Sequence, residues 1–216
     1  ITNAFFETMS GFTSTGATVL DNIESLPHGL LFWRSMTQWI GGLGIIMFTI
    51  AVLPIFGVSG LQVFAAEASG PTHDKVHPRI GITAKWIWGI YTGLTFILVI
   101  LLMLGGMNWF DSICHAFATT GTGGFSTKQA SVAYYHSPYI EYVISLFMFV
   151  SGINFTLLLF FVNRKFKKVI DNAELKWYFW SVTGFTTVIA VILYYTSSMG
   201  MEEAFRKSLF QVISLH

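Results

Sequence analysis

The stretch that decides the fold reads Thr119-Thr120-Gly121-Thr122-Gly123, and a related stretch, Ser14-Thr15-Gly16-Ala17, occurs near the start of the chain. Each stretch follows a short apolar segment and precedes a long one. Glycine adopts backbone angles that other residues disfavour, so both stretches are suited to an irregular loop conformation. The duplication predicts that the chain contains repeated units of domain length, each with one Thr-Gly loop.

The composition is that of a membrane protein. Of 216 residues, 53% are hydrophobic and 11% are charged, and the mean hydropathy is +0.62. Soluble domains carry roughly a quarter charged residues. A net charge of +1 gives no indication of nucleic-acid binding, and the expected surroundings are a lipid bilayer. The single cysteine, Cys114, excludes an intramolecular disulfide and a cysteine-based metal cluster.

Four apolar segments are long enough to cross a bilayer, which takes about 20 residues of helix. They are approximately Leu31–Phe56, Trp86–Met107, Tyr139–Val162 and Trp177–Tyr195. Three further segments are too short to cross: Ile1–Phe12, Asn108–Thr119 and Met201–Leu215. Segments of this length are re-entrant candidates; surface-lying amphipathic helices are the alternative, but these three lack a polar face rich in Lys and Arg. The sequence therefore predicts an all-α membrane protein.

Basic residues predict the orientation of the chain in the membrane. The run Arg164-Lys165-Phe166-Lys167-Lys168 follows the third predicted span, and Lys75 and Arg79 lie between the first two. Cytoplasmic loops carry an excess of Lys and Arg, so we expect both regions to be cytoplasmic. The Thr-Gly loops are then expected to face the outside.

The order of the segments predicts a repeated unit of span, short helix, Thr-Gly loop and span. Residues 1–75 form a first unit without its leading span, residues 76–172 a complete second unit, and residues 173–216 the start of a third. The alignment of the units pairs Gly16 with Gly121, and in the third unit it pairs Leu209–Ser214 with Phe5–Ser10. We therefore expect the chain to be a piece of a longer protein.

The second Thr-Gly stretch has the layout of the Thr-Val-Gly-Tyr-Gly loop of potassium channels, whose backbone carbonyls replace the hydration of the ion. Simple glycine turns are one alternative interpretation, although the duplication between short and long apolar segments favours a filter. A phosphate-binding loop is another, but the stretch lacks the required Lys. The predicted potassium-binding filter residues are Ser14, Thr15, Gly16, Ala17, Thr119, Thr120, Gly121, Thr122 and Gly123.

Three polar residues are predicted to support the filter. Arg34 lies near the outer end of the first span, one helical turn before Gln38. Pairing of Arg34 with Glu7, or with filter carbonyls, would hold the first strand; an interfacial arginine that reaches lipid headgroups is an equally good interpretation. His73 and His77 are spaced for one helical face, but a metal site needs further ligands, so no transition metal is expected.

Three stretches resemble the Trk/Ktr/HKT superfamily of potassium transporters, and most closely its bacterial Trk-type membrane subunits. They are Ser10–Leu20, Trp33–Gly44 and His115–Thr127. The resemblance implies four fused copies of a two-span channel subunit around one pore, in the bacterial inner membrane. It also implies a homodimer, a cytosolic nucleotide-binding ring protein as regulatory partner, and no cofactor apart from the transported potassium ion.

The expected function is potassium uptake through a carbonyl filter, driven by the electrochemical gradient. A membrane potential supplies about 2.3 kcal/mol per charge per 100 mV. Transport of sodium, or of both ions, is the alternative; some relatives carry serine in place of a filter glycine and favour sodium, whereas Gly16 and Gly121 are glycine here. A membrane enzyme is a remote alternative, because the sequence contains no nucleophile–base pair or metal cluster.

Overall fold

The computed structural model describes residues 1–52, 80–197 and 199–215, and within these ranges the regular structure is helical without strands. The α-helices are α1 Thr2–Phe12, α2 His28–Val52, α3 Ile80–Leu104, α4 Trp109–Thr120, α5 Pro138–Ser151, α6 Phe155–Val162, α7 Phe166–Ile170, α8 Ala173–Thr196 and α9 Met201–Leu215. A 3₁₀ helix, Ser131–Tyr135, precedes α5. The prediction of an all-α fold is confirmed.

Three of the predicted spans are single long helices. α2 and α3 have 25 residues each, and α8 has 24. By length and composition, α8 and the part of α3 from Lys85 to Leu104 are able to cross a membrane. The predicted end of the first span at Phe56, the region from His73 to Arg79, and the predicted first unit boundary lie outside the described residues.

The third predicted span, Tyr139–Val162, is wrong as a single helix, because the chain breaks between α5 and α6. Gly152 caps the end of α5, and the carbonyl of Asn154 accepts the first hydrogen bonds of α6. A Cβ on Gly152 would lie 2.6 Å from the Tyr178 hydroxyl of α8, so the break coincides with a close approach of the two helices. Hydropathy does not reveal this break, since the residues on both sides of it are apolar.

The three short segments are helices whose bounds differ from the predicted ones by one residue at most. α1 packs against α2, α4 packs among α2, α3 and α5, and α9 packs between α5 and α8. α4 begins at the N-cap Asn108, whose side chain accepts a 2.8 Å hydrogen bond from the backbone N–H of Asp111. Asp111 lies in the first turn, where the helix dipole favours negative charge.

The largest apolar core lies where α3, α4 and α5 meet. Its buried members are Leu98, Leu102, Met107, Ala116, Val132, Ile140, Ile144 and Phe147. Polar contacts join the same helices to α2: the indole N–H of Trp39 donates to Thr95 at 2.9 Å, and the Thr95 hydroxyl lies 3.1 Å from that of Thr120. This packing fixes the carboxyl end of α4 against α2 and α3.

Candidate functional site

Two loops with the same backbone conformation follow α1 and α4. We call Thr13–Val19 loop one and Gly121–Thr127 loop two. Ser14 and Thr122 adopt left-handed conformations with φ of 53° and 52°, and Gly16 and Gly124 have φ of 75° and 83°. The two members of each pair are 108 residues apart in sequence. The loops therefore have their left-handed residues at equivalent positions.

The same hydrogen bonds close both helices. In each loop the left-handed residue donates its N–H to the carbonyl three residues earlier, at 3.0 Å in loop one and 3.1 Å in loop two. The next residue donates to the carbonyl five residues earlier, at 3.0 Å and 2.9 Å. This pair of bonds is the Schellman arrangement that ends a helix. The equivalence of the loops thus extends into α1 and α4.

This geometry corrects the alignment of the repeats by three residues. Gly16 is equivalent to Gly124, whereas the sequence alignment paired it with Gly121. Gly121 has a φ of −76°, which any residue adopts, and Thr119 and Thr120 belong to the last turn of α4. The two Thr-Gly strings match in letters but occupy different positions relative to their helix ends. Potassium binding by the predicted filter residues stays a prediction.

The two loops contact each other and α2 through glycines. A Cβ on Gly16 would collide with the carbonyl oxygen of Gly123, so loop one lies directly against loop two. A Cβ on Gly42 of α2 would lie 2.5 Å from the Cα of Gly121, and one on Gly41 would collide with the backbone of Phe12. The small residues of α2 therefore allow the carboxyl ends of α1 and α4 to approach it together.

A buried ion pair holds loop one. Arg34 Nε lies 3.2 Å from Glu7 Oε2, and the two side chains are 8% and 11% exposed. Glu7 Oε1 accepts hydrogen bonds from the Thr18 hydroxyl at 2.5 Å and the Val19 N–H at 2.7 Å. The guanidinium also lies 4.2 Å from the centre of the Phe125 ring in loop two. The predicted pairing of Arg34 with Glu7 is confirmed, and the alternative in which Arg34 reaches lipid headgroups is wrong.

Gln38 of α2 contacts loop two. Its fully buried side chain accepts a 3.0 Å hydrogen bond at Oε1 from the backbone N–H of Phe125. A Cβ on Gly123 would collide with the Gln38 amide. The Nε2 of Gln38 has no hydrogen-bond partner among the described residues. Gln38 therefore links α2 to loop two.

The sequence did not identify a second buried cluster, centred on Asp111. Its Oδ1 accepts from the Thr127 hydroxyl at 2.6 Å, and its Oδ2 accepts from Tyr135 and from Asn108 at 2.9 Å each. Burial raises the pKa of Asp111, but the hydrogen bonds from Thr127 and Tyr135 lower it, and the balance lies below the usual value. The capping pattern of Asn108 with an acid three residues later was the available signal.

His115 connects this cluster to loop two. Its ring is almost fully buried, with Nδ1 2.8 Å from the Asp111 carbonyl oxygen and Nε2 3.0 Å from the Ser126 hydroxyl. Burial lowers the pKa of His115, which favours the neutral ring. The end of loop two is thus bonded to α4 at Ser126 and Thr127.

Known proteins with similar sequences cover nearly the whole chain. Residues 1–215 match the sequence profile of the TrkH family, described as cation transport proteins. The Trk system potassium uptake protein TrkH of Escherichia coli strain K12 is 51% identical over 158 residues, 73% of this chain and 33% of that protein. The protein of the same name from Halomonas elongata is 38% identical over 216 residues, 99% of this chain and 45% of that protein.

A solved structure is also similar. The crystal structure of the potassium transporter TrkH from Vibrio parahaemolyticus matches with a TM-score of 0.82 and 35% sequence identity, over 99% of this chain and 43% of that one. The chain thus spans between a third and a half of the length of these relatives.

Proposed function

The chain belongs to the TrkH family of cation transport proteins, and from this membership we propose that it contributes to potassium uptake across the bacterial inner membrane. The family is one of transporters and not of enzymes, so the membrane-enzyme alternative is set aside. The relatives from Escherichia coli and Halomonas elongata are both named potassium uptake proteins, which supports potassium as the transported ion. Potassium is the cargo in this proposal, and no cofactor is included.

The proposed ion path passes loop one and loop two. α1 and α4 end at these loops, and the carboxyl end of a helix carries a partial negative charge that favours a nearby cation. Backbone carbonyls of both loops would replace part of the hydration shell of potassium. The observation that carries this proposal is the matched conformation of two touching loops at the ends of two short helices.

The proposed ligands are the filter residues predicted from the sequence. Gly124 joins this set, and the role of Thr120 is limited to its backbone. Gly124 is added, because it is the equivalent of Gly16 in conformation. Thr120 contributes through its backbone alone, since its hydroxyl donates to the carbonyl of Ala116 and contacts Thr95 within the helix packing. In conformation, Thr15–Ala17 of loop one corresponds to Gly123–Phe125 of loop two.

Topology, driving force and partners are also proposals. The exposed basic segment Arg164–Lys168 is proposed to be cytoplasmic, with both loops open to the outside. The electrochemical gradient would drive uptake without a chemical fuel. The three units, 1–75, 76–172 and 173–216, are retained as proposed repeats. A homodimer and a cytosolic nucleotide-binding ring protein are proposed as partners on the resemblance to Trk-type subunits alone.

An uptake assay tests the proposed function. The intact gene product would be expressed in a bacterial strain that lacks its own potassium uptake, and rubidium-86 entry would be measured with potassium or sodium as competitor. We expect uptake that potassium inhibits at a much lower concentration than sodium. Equal inhibition by sodium would favour the mixed-transport alternative. Absence of rubidium entry, with the protein present in the membrane, would contradict the proposal.

A further inference from the structure

Glu7 and His115 occupy equivalent positions on α1 and α4. Each lies nine residues before the positive-φ glycine of its loop, Gly16 or Gly124. Both are buried, with 9% and 3% of their surface exposed. Each side chain bonds the hydroxyl of the second residue after that glycine, which is Thr18 for Glu7 and Ser126 for His115. The same contact is therefore made in both units by different chemical groups.

The hydrogen bonds around His115 define the protons on its ring. The carbonyl oxygen of Asp111 only accepts, so the Nδ1 that lies 2.8 Å from it carries a proton. The Ser126 hydroxyl already accepts from the backbone N–H of Lys128 at 3.0 Å, and its own proton is free to point at His115 Nε2. A continuous chain of donors and acceptors thus runs from Lys128 through Ser126 and His115 to Asp111, with a neutral ring.

We propose that His115 is a positioning residue for the second filter loop, and that it holds loop two through Ser126 as Glu7 holds loop one through Thr18. Glu7 is charged and is accompanied by Arg34, because a buried carboxylate without a counter-charge is costly. A neutral imidazole needs no counter-charge. The inference rests on the proposed transport function, since the quantity that His115 controls is ion selectivity.

Two substitutions at residue 115 separate positioning from packing. His115→Leu introduces an apolar side chain of similar size. It removes both ring nitrogens, so Ser126 loses its acceptor. His115→Gln keeps an amide that can accept from Ser126, and the alignment of α9 with α1 places Gln211 at this position. Measured as rubidium-86 uptake with competing sodium, we expect His115→Leu to reduce the preference for potassium about fivefold. We expect His115→Gln to stay within about twofold of the unsubstituted protein.

Ser126→Ala tests the same contact from the loop side, and it remains informative if His115→Leu fails to reach the membrane. Its selectivity should equal that of His115→Leu, and the double variant should show no further loss. The matched control is Ser112→Ala on α4, the helix that also contains His115. Ser112 is fully buried, and its hydroxyl has no partner among the described residues. That variant should keep the original selectivity.

The outcomes distinguish this inference from the proposed function. No potassium-selective uptake by the unsubstituted protein would refute the transport function itself. Normal transport by that protein, with unchanged selectivity in Ser126→Ala, would refute only the positioning role. Equal defects in His115→Gln and His115→Leu would also refute it. The defect would then not depend on whether residue 115 can accept a hydrogen bond from Ser126.

Discussion

Ser14 and Thr122 show strain at single residues in the same place of both loops. Their φ values of 53° and 52° are uncommon for residues with a β-carbon, and the left-handed conformation costs roughly 1–2 kcal/mol per residue. The helix-closing hydrogen bonds and the contact of Gly16 with Gly123 oppose relaxation of the loops. Backbone strain of this kind persists only where surrounding contacts hold the residue in its strained conformation.

Glycine substitutions should separate conformation from packing in loop two. Gly124→Ala meets no atom within 4 Å but forces a β-carbon into a φ of 83°, so we expect reduced potassium preference at a near-normal membrane level. Gly121→Ala has an ordinary φ, but its Cβ would lie 2.5 Å from the Gln38 carbonyl oxygen. It should reduce the amount of folded protein instead. Rubidium-86 competition and immunoblots of membranes measure the two effects.

The control for both variants is Gly29→Ala, which meets nothing within 4 Å and has no unusual φ. It should leave uptake and protein level unchanged. Gly105 is unsuitable as a control, since a Cβ there would lie 2.8 Å from the Tyr139 ring. A normal membrane level for Gly121→Ala would contradict the close packing of α2 on loop two.

Removing one partner of the Glu7–Arg34 pair should destabilise the protein strongly. Arg34→Gln leaves a buried carboxylate uncompensated, a defect of about 3–5 kcal/mol. The double variant with Glu7→Gln should recover part of this loss. Thermal unfolding of the purified protein in detergent provides the measurement. In the exposed pair of Lys207 with Glu203, Lys207→Gln should leave stability almost unchanged. An equally small effect of Arg34→Gln would contradict the role of the buried pair.

Hydrogen bonds to Asp111 make the attachment of loop two to α4 dependent on pH. The folded-state pKa of Asp111 lies below its usual value, so the carboxylate stabilises the fold above the unfolded pKa of about 3.9. This stabilisation is lost as the pH falls through the folded pKa. Thr127→Val removes the 2.6 Å hydrogen bond and should raise the pKa of Asp111. Since the unfolded pKa is unchanged, the variant should be less stable near neutral pH and should lose less of its stability in acid.

Melting temperatures across a pH series test this prediction. Thr183→Val is the control, because the exposed Thr183 hydroxyl donates to the carbonyl of Phe179 within α8, away from Asp111. Its acid sensitivity should match that of the unsubstituted protein. Identical pH curves for Thr127→Val and Thr183→Val would show that Asp111 does not carry the effect.

At the scale of helices, the sequence predicted the positions of the helices and the bounds of the three short ones well, but it predicted the register between the two loops poorly. The short helices were recognisable because apolar segments of that length are bounded by polar and glycine residues. The break at Gly152 was not, since hydropathy does not record the approach of Tyr178. The pairing of Gly16 with Gly121 followed letters, whereas φ and the helix-closing bonds pair Gly16 with Gly124. The register between the two loops depends on the residue at which each helix ends. The spacing of the Thr-Gly stretches in the sequence did not identify that residue.

At the scale of the whole molecule, the surface is apolar where a bilayer would contact it. Only 11% of the most apolar stretch of α8 and 28% of that of α3 are buried inside the protein. Large exposed side chains on these helices include Phe96, Ile100, Leu104, Trp177, Val188 and Ile192. Such extensive apolar surface is not typical of soluble monomers, and hydrocarbon is the solvent that suits it.

Cysteine labelling should establish the orientation of this surface in the membrane. The native Cys114 is fully buried, and burial raises the pKa of its thiol to about 11, so it should not react. Lys167→Cys should react with an impermeant maleimide only after spheroplasts are opened, because basic loops remain cytoplasmic. Ala130→Cys, exposed beyond loop two, should react in intact spheroplasts. The reverse labelling pattern would show that the chain has the opposite orientation in the membrane.

Glu7 and His115, which bond the equivalent hydroxyls of Thr18 and Ser126, differ in chemistry, and this difference has an evolutionary consequence. In an assembly of identical subunits, one mutation alters every copy of a loop at once. In a chain with fused units, one mutation alters a single loop and leaves the geometry of its neighbour intact. Along the proposed ion path, selection can therefore act on each loop separately, so the chemistry of the loops can diverge by small steps while their shape is inherited.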